Sequence, residues 1–176
     1  MEFNHADLFE GVADAIPDRV AVVCGDRRLT FAELESLANR LAHHLEDAGV
    51  GPGRHVGVQL YNGVEYITTV LAALKIRAVP INVNYRYVES ELLYLYRDSD
   101  IVALVYDVEF DDRVAGTAPQ APALGHLIAV GGPTRVPGAV GYEQAIEGRP
   151  ETRGFPPRSA DDLYILYTGG TTGMPK

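Results

Sequence analysis

The amino-acid sequence predicts an α/β fold, a layered and mostly parallel sheet with flanking helices. Three observations carry that expectation. Short apolar segments alternate with amphipathic helical ones, and turn residues separate them. The last apolar segment also runs directly into a glycine- and threonine-rich loop, as expected where a strand ends at a ligand. With 176 residues, 47% hydrophobic and 22% charged, the chain can bury a core and is no disordered polymer.

The elements follow in order. "VAVVCG", Val20 to Gly25, reads as a buried strand, turned by Asp26, Arg27 and Arg28. "LTFAEL" opens a helix, with Thr30 as N-cap and Glu33 three residues on. That capping box accounts for both residues without any chemistry. Leu34, Leu37, Ala38, Leu41, Leu45 and Ala48 recur at helical spacing, and Gly49 supplies the left-handed residue that ends the helix.

"HVGVQL" is the next strand, and a second helix is expected over 63–75. "AVPIN" follows as a short strand in which Pro80 marks an edge strand or a strand end. "VESELLYLYRDS" reads as a third helix and "IVALVY" as an apolar strand. A weak helix around 110–114 then leads to the strand "LIAV". Residues 131–160, rich in Gly, Pro and Arg, read as a long surface connection with a helical hint at "YEQAIEG". "DDLYILYT" returns as a strand over 163–167.

Composition excludes some functions. The net charge is −9 and no basic stripe occurs, so a nucleic-acid partner is not expected. A phosphate site would have to be built locally, from backbone N–H groups and a few cations. Lys75 and Lys176 are the only lysines among fifteen basic residues. Cys24 is alone, which rules out an intramolecular disulfide and suits a reducing compartment; its apolar run makes it a small buried hydrophobe rather than a nucleophile. "MEFNHADLFE" lacks the apolar core of a signal peptide, and "YITTVLAALKI" is too short to span a bilayer. The expected location is cytoplasmic, with peripheral contact to a membrane left open.

Other chemistry-bearing residues read as structural. Lys75, Arg77 and Arg86 are expected to be solvated or helix-end charges, and Tyr85, Tyr94 and Tyr96 to be packing residues. Asp111–Asp112 and Asp161–Asp162 are sequence neighbours, unlike an acid–base pair facing across a cleft, and are expected to cap helices or flank strands. The His43–His44 pair lacks metal-ligand spacing and is assigned surface or core roles.

The closing stretch "YTGGTTGMPK", residues 167–176, differs from all of these. Gly169, Gly170 and Gly173 open backbone conformations that let successive N–H groups converge on one anion. Thr168, Thr171 and Thr172 add hydroxyls, and Thr171 or Thr172 is the candidate Mg²⁺ ligand. Lys176 supplies a compact positive charge. The standard P-loop has lysine directly after its last glycine, whereas Met174 and Pro175 intervene here.

"YTGGTTGMPK" resembles the phosphate-loop signature of the adenylate-forming superfamily, which holds acyl-CoA synthetases, luciferases and the adenylation domains of peptide synthetases. Gly169 stands where that family carries serine or threonine, so no side-chain phosphate contact is carried over there. "LTFAEL" and "LAALKIRAVPINVNYR" resemble its first two core motifs in order and spacing, with Ile76 and Arg77 in place of an alanine–glycine step. "NYRYVESELLYLYRDSD" is similar to acyl-CoA synthetases rather than to peptide-synthetase domains.

The resemblance implies an ATP-dependent carboxylate–CoA ligase using ATP, Mg²⁺ and coenzyme A on a fatty or related carboxylic acid. Thr168, Gly169, Gly170, Thr171, Thr172, Gly173 and Lys176 would hold the ATP phosphates, and Lys176 is the candidate catalytic residue. Residues 1–176 would be the N-terminal part of the large adenylating domain, ending at the phosphate loop 167–176. The small C-terminal lid domain would be absent, and the chain inactive alone. Apolar faces without neighbours would then favour a homodimer or pairing with the missing C-terminal part. An adenylating enzyme with a carrier-protein acceptor and a non-catalytic nucleotide-binding or assembly module are the alternatives.

Overall fold

The computed structural model of the chain describes residues 4–168, which form a six-stranded sheet between helical layers and a separate two-stranded hairpin. A helix that the sequence reading did not place comes first: α1 (His5–Ala15). The Ala6 N–H donates to Asn4 Oδ1 at 2.8 Å and the Asn4 N–H donates to Asp7 Oδ2 at 2.8 Å, a reciprocal cap.

β1 (Val20–Cys24) and β2 (Arg27–Thr30) pair antiparallel, apart from the main sheet. The strand expected to be buried is therefore half open: Val20 and Val23 are 51% and 54% exposed. Cys24 is half-buried rather than fully enclosed. A two-stranded ribbon has one face to bury, and alternate side chains point away from it. The register shifts between Val20 and Val22, and this irregularity lets the neighbours Ala21 and Val22 both pack against Leu34 and Ala38 of α2 (Phe31–Asp47). The capping box of α2 forms as expected. The Glu33 N–H donates to Thr30 Oγ1 at 3.2 Å and the Thr30 N–H donates to Glu33 Oε2 at 2.8 Å. Gly49, at φ +80°, follows its end.

The main sheet is built from β3 (His55–Gln59), β4 (Val79–Asn82), β5 (Ile101–Asp107), β6 (His126–Val130), β7 (Val140–Gly141) and β8 (Ile165–Leu166). Its order is β7-β6-β5-β3-β4-β8, and every neighbouring pair is parallel. The helices are α3 (Val64–Lys75), α4 (Glu89–Asp98), α5 (Asp111–Thr117) and α6 (Tyr142–Ile146). Strand residues alternate between two cores. Val56, Val58, Ala103 and Val105 face Leu41, Leu45, Ala72 and Ile146. Ile81, Leu104 and Tyr106 face Leu92, Leu95 and Val114 on the other side. Burial on both faces is the reason these strands read as unbroken apolar runs.

Of the two readings Pro80 allowed, the strand end holds: β4 is flanked by β3 and β8, and Pro80 sits at its start, opposite Val56, where the β8 pairing has not begun. Two expectations need correction. Within 131–160, Val140 and Gly141 add a sheet strand beside Ile128 and Ala129, and α6 packs on the core, so this segment is more than a surface connection. A two-residue strand leaves no periodicity to read. β8 likewise spans 165–166 rather than 163–167.

Candidate phosphate-binding site

Parallel pairing puts the carboxyl ends of β3, β4 and β8 side by side. Ile165 lies opposite Ile81 and Leu166 opposite Asn82. The chain then leaves β8 at Tyr167, whose hydroxyl donates to Asp98 Oδ2 at 2.7 Å. Burial, together with that carboxylate, pushes the Tyr167 phenol upward in pKa. Thr168 follows, exposed at the carboxyl edge. Of the sequence-assigned site residues, only Thr168 lies within the described part. Gly169, Gly170, Thr171, Thr172, Gly173 and Lys176 lie outside the described residues.

A cavity of about 380 Å³ opens beyond the ends of β3 and β4, lined in part by Asn62, Asn82, Asn84, Tyr66, Tyr85 and Arg86. The Tyr66 hydroxyl donates to Asn82 Oδ1 at 3.3 Å, and the Arg86 guanidinium stands 5.5 Å from the centre of the Tyr85 ring. Amide groups and one arginine are the polar lining expected for an oriented polar ligand. Among the described residues, no three His, Cys, Asp or Glu side chains gather as a metal cluster.

The approach to β8 is fastened by charge. Lys75, expected to be solvated or a helix-end charge, is the last residue of α3 and wholly buried. Its Nζ donates to Glu10 and, at 2.9 Å, to both oxygens of Glu35. Arg158 donates to Glu10 Oε1 and Oε2 at 2.7 and 2.8 Å and to Asp7 at 2.6 Å. Arg153 bridges Glu35 and Asp14. Burial alone would raise the Glu10 carboxyl; hydrogen bonds from Arg158 and Lys75 outweigh it and hold the group below its usual range. Arg77, expected to be a solvated or helix-end charge, follows the end of α3 and donates from Nε to Asp162 Oδ1 at 2.9 Å. One signal of this network was visible: a lysine inside the apolar run "LAALKI", in a chain with thirteen arginines and one other lysine. Its partners lie too far off in sequence to be read.

The amino ends of the strands carry a different polar cluster. His44, on α2, and His126, at the start of β6, meet Nε2 to Nε2 at 2.9 Å beside a cavity of about 420 Å³. Arg149 donates to His44 Nδ1 at 3.4 Å and pairs with Asp47. With Nδ1 accepting, His44 must carry its proton on Nε2 and donate it to His126, so the arrangement fits two neutral rings. Burial, then the neighbouring His126 and Arg149, pushes His44 down to about 4, and burial lowers His126 as well.

Comparison with known proteins agrees with this fold. The family model described as AMP-binding enzyme matches residues 9–176. The chain is 47% identical over 180 residues to a 3-oxocholest-4-en-26-oate–CoA ligase of Rhodococcus rhodochrous, covering 100% of this chain and 32% of that protein. It is 49% identical over 181 residues to a medium/long-chain-fatty-acid–CoA/3-oxocholest-4-en-26-oate–CoA ligase of Mycobacterium marinum, covering 98% and 33%. The crystal structure of the anthranilate CoA ligase AuaEII in complex with anthranoyl-AMP superposes with a TM-score of 0.92 at 26% identity, covering 99% of this chain and 34% of that one. The chain thus spans about a third of the length of the relatives it matches. A family model matched from residue 9 to residue 176, over a parallel α/β sheet, places the chain in the AMP-binding enzyme family.

Proposed function

We propose that the protein containing this chain is an ATP-dependent carboxylate–CoA ligase. The observation that carries the reading is the position of β8, which brings Tyr167 and Thr168 to the carboxyl edge of the parallel sheet immediately ahead of Gly169–Lys176. Relatives named as ligases for 3-oxocholest-4-en-26-oate and for medium- and long-chain fatty acids support a bulky apolar acid as substrate.

In this reading the Thr168–Gly173 amides and hydroxyls hold the ATP phosphates, and the Lys176 ammonium matches the charge that builds on the leaving pyrophosphate. Mg²⁺ would be held through those phosphates and the Thr171 or Thr172 hydroxyl, the usual sparse protein coordination of this ion. A substrate carboxylate oxygen attacks the α-phosphorus and pyrophosphate leaves. The coenzyme A sulfur then attacks the acyl carbon and AMP leaves. Orientation of the reactants supplies the other large contribution.

Residues 1–176 correspond, in this proposal, to the N-terminal part of the large adenylating domain, completed by sequence that the relatives carry beyond it. Leu163 and Leu166, exposed at the sheet edge, support pairing with that sequence or with a second copy. The lone cysteine supports a cytoplasmic setting, and no helix among the described residues is long and apolar enough to cross a membrane. Titration with Mg·ATP or pyrophosphate tests the site. Lys176→Ala is expected to weaken binding about tenfold, roughly one charge-assisted contact. Identical curves for the two proteins would overturn the assignment.

A further inference from the structure

We propose that Arg77 is a positioning residue: its ion pair with Asp162 sets where β8 delivers the chain at the carboxyl edge. This rests on the phosphate-loop reading of residues 167–176. Arg77 lies between α3 and β4 with φ +60°, a left-handed conformation that glycine adopts freely and an arginine adopts under strain. It is also the position where the resembling family motif carries glycine.

The strain is offset by what the side chain reaches. Nε of Arg77 donates to Asp162 Oδ1 at 2.9 Å, across 85 residues of sequence. The Asp162 side chain is 7% exposed, and its Oδ2 accepts from Asn4 Nδ2 at 2.9 Å and from the Ser159 N–H at 3.0 Å. The Arg77 carbonyl accepts from the Gly53 N–H at 2.9 Å, and the Val79 N–H donates to the Arg54 carbonyl at 2.8 Å. One residue therefore ties together the starts of β3 and β4 and the segment leading to β8.

That segment needs such a tie. β8 contributes only Ile165 and Leu166 to the ladder with β4, so sheet hydrogen bonds alone grip it lightly. Asp162 stands three residues before Ile165. Movement there would displace Tyr167 and Thr168, and displacement of a binding group by an ångström is enough to weaken a phosphate site.

A purely structural Arg77 predicts the opposite result from a positioning one. Arg77→Gly removes the strain while cutting the ion pair, so global stability should hold or rise. The test uses the purified protein, with thermal melts, amide hydrogen exchange over 163–168 and pyrophosphate titration. Arg77→Gly is expected to melt no lower than wild type, to exchange about tenfold faster over 163–168, and to bind pyrophosphate about tenfold more weakly. Arg77→Lys, which returns a cation, is expected to recover part of both losses. Wild-type exchange and affinity in Arg77→Gly would overturn the proposal. So would a global loss of stability as large as the local effect, which would leave Arg77 a structural residue. If wild type itself does not bind pyrophosphate, the phosphate-loop reading fails, and exchange alone decides: unchanged protection over 163–168 overturns the proposal, and faster exchange upholds it.

Discussion

The ammonium of Lys75 lies 2.9 Å from both carboxylate oxygens of Glu35, and no part of its side chain reaches solvent. Glu10 closes the other side. The group is held by three helices at once, since Glu10 is on α1, Glu35 on α2 and Lys75 on α3. Removing one partner from a buried ion cluster leaves the rest desolvated and uncompensated. Lys75→Met is accordingly expected to cost about 3 kcal/mol, the lower end for such deletions because Arg153 and Arg158 still face the two glutamates. Urea unfolding measures it, and a change below about 1 kcal/mol would show that the cluster contributes little.

The His44–His126 contact predicts a pH dependence with a defined sign. His44 is held down to about 4 in the folded chain, and His126 is lowered too, so the unfolded chain binds protons first. The groups facing His44 are His126, Arg149 and Asp47. Stability is complete above the ordinary histidine pKa and falls as pH drops from about 6.5 toward 4, by on the order of 3 kcal/mol for His44. Loss from Asp111 and Asp162, whose pKa values are depressed, comes at lower pH still. A pH series of denaturation midpoints should show a shallower slope between 6.5 and 4 in His44→Gln. Parallel slopes in the two proteins would contradict the neutral-pair assignment.

Gly57 has no room for a side chain. A Cβ there would stand 2.8 Å from Leu104 Cδ1, 3.2 Å from Ile101 Cδ1 and 3.3 Å from Val83 Cγ2. All three neighbours belong to a closed core, so the shift one makes is resisted by the others. Gly57→Ala is expected to destabilise by about 1–3 kcal/mol, although alanine normally favours a strand over glycine. Equal or greater stability of the variant would mean that this core yields more easily than its packing indicates.

The 176-residue chain by itself is expected to release no pyrophosphate from ATP with any fatty or steroid acid. Its relatives carry about two thirds of their length elsewhere. Turnover above background by the purified chain would refute this.

Local chemistry made much of the fold legible. Thr30 with Glu33, the spacing from Leu34 to Ala48 and the φ of Gly49 are decided within one helix, and each forms as its sequence predicts. The apolar runs of β3, β5 and β6 announce burial on two faces and hence the parallel sheet. What escaped was decided at a distance. Lys75 looks like an ordinary last-turn charge until Glu35 and Glu10, 40 and 65 residues away, fold onto it. β7 is too short for a pattern, and β1 looks like a core strand because four apolar letters do not say which face stays open. Of the site, the described residues show only that β8 ends at the carboxyl edge of the sheet and that Tyr167 and Thr168 follow it. Gly169–Lys176 lie outside the described residues.

The bond from Arg158 to Glu10 spans 148 residues, which gives the ion cluster an order in time during synthesis. Once the ribosome has released the first three helices, one lysine faces two glutamates, and the excess negative charge stays until Arg153 and Arg158 emerge. The nascent domain is thus left electrostatically unfinished, and the segment that completes it is the one that leads into β8.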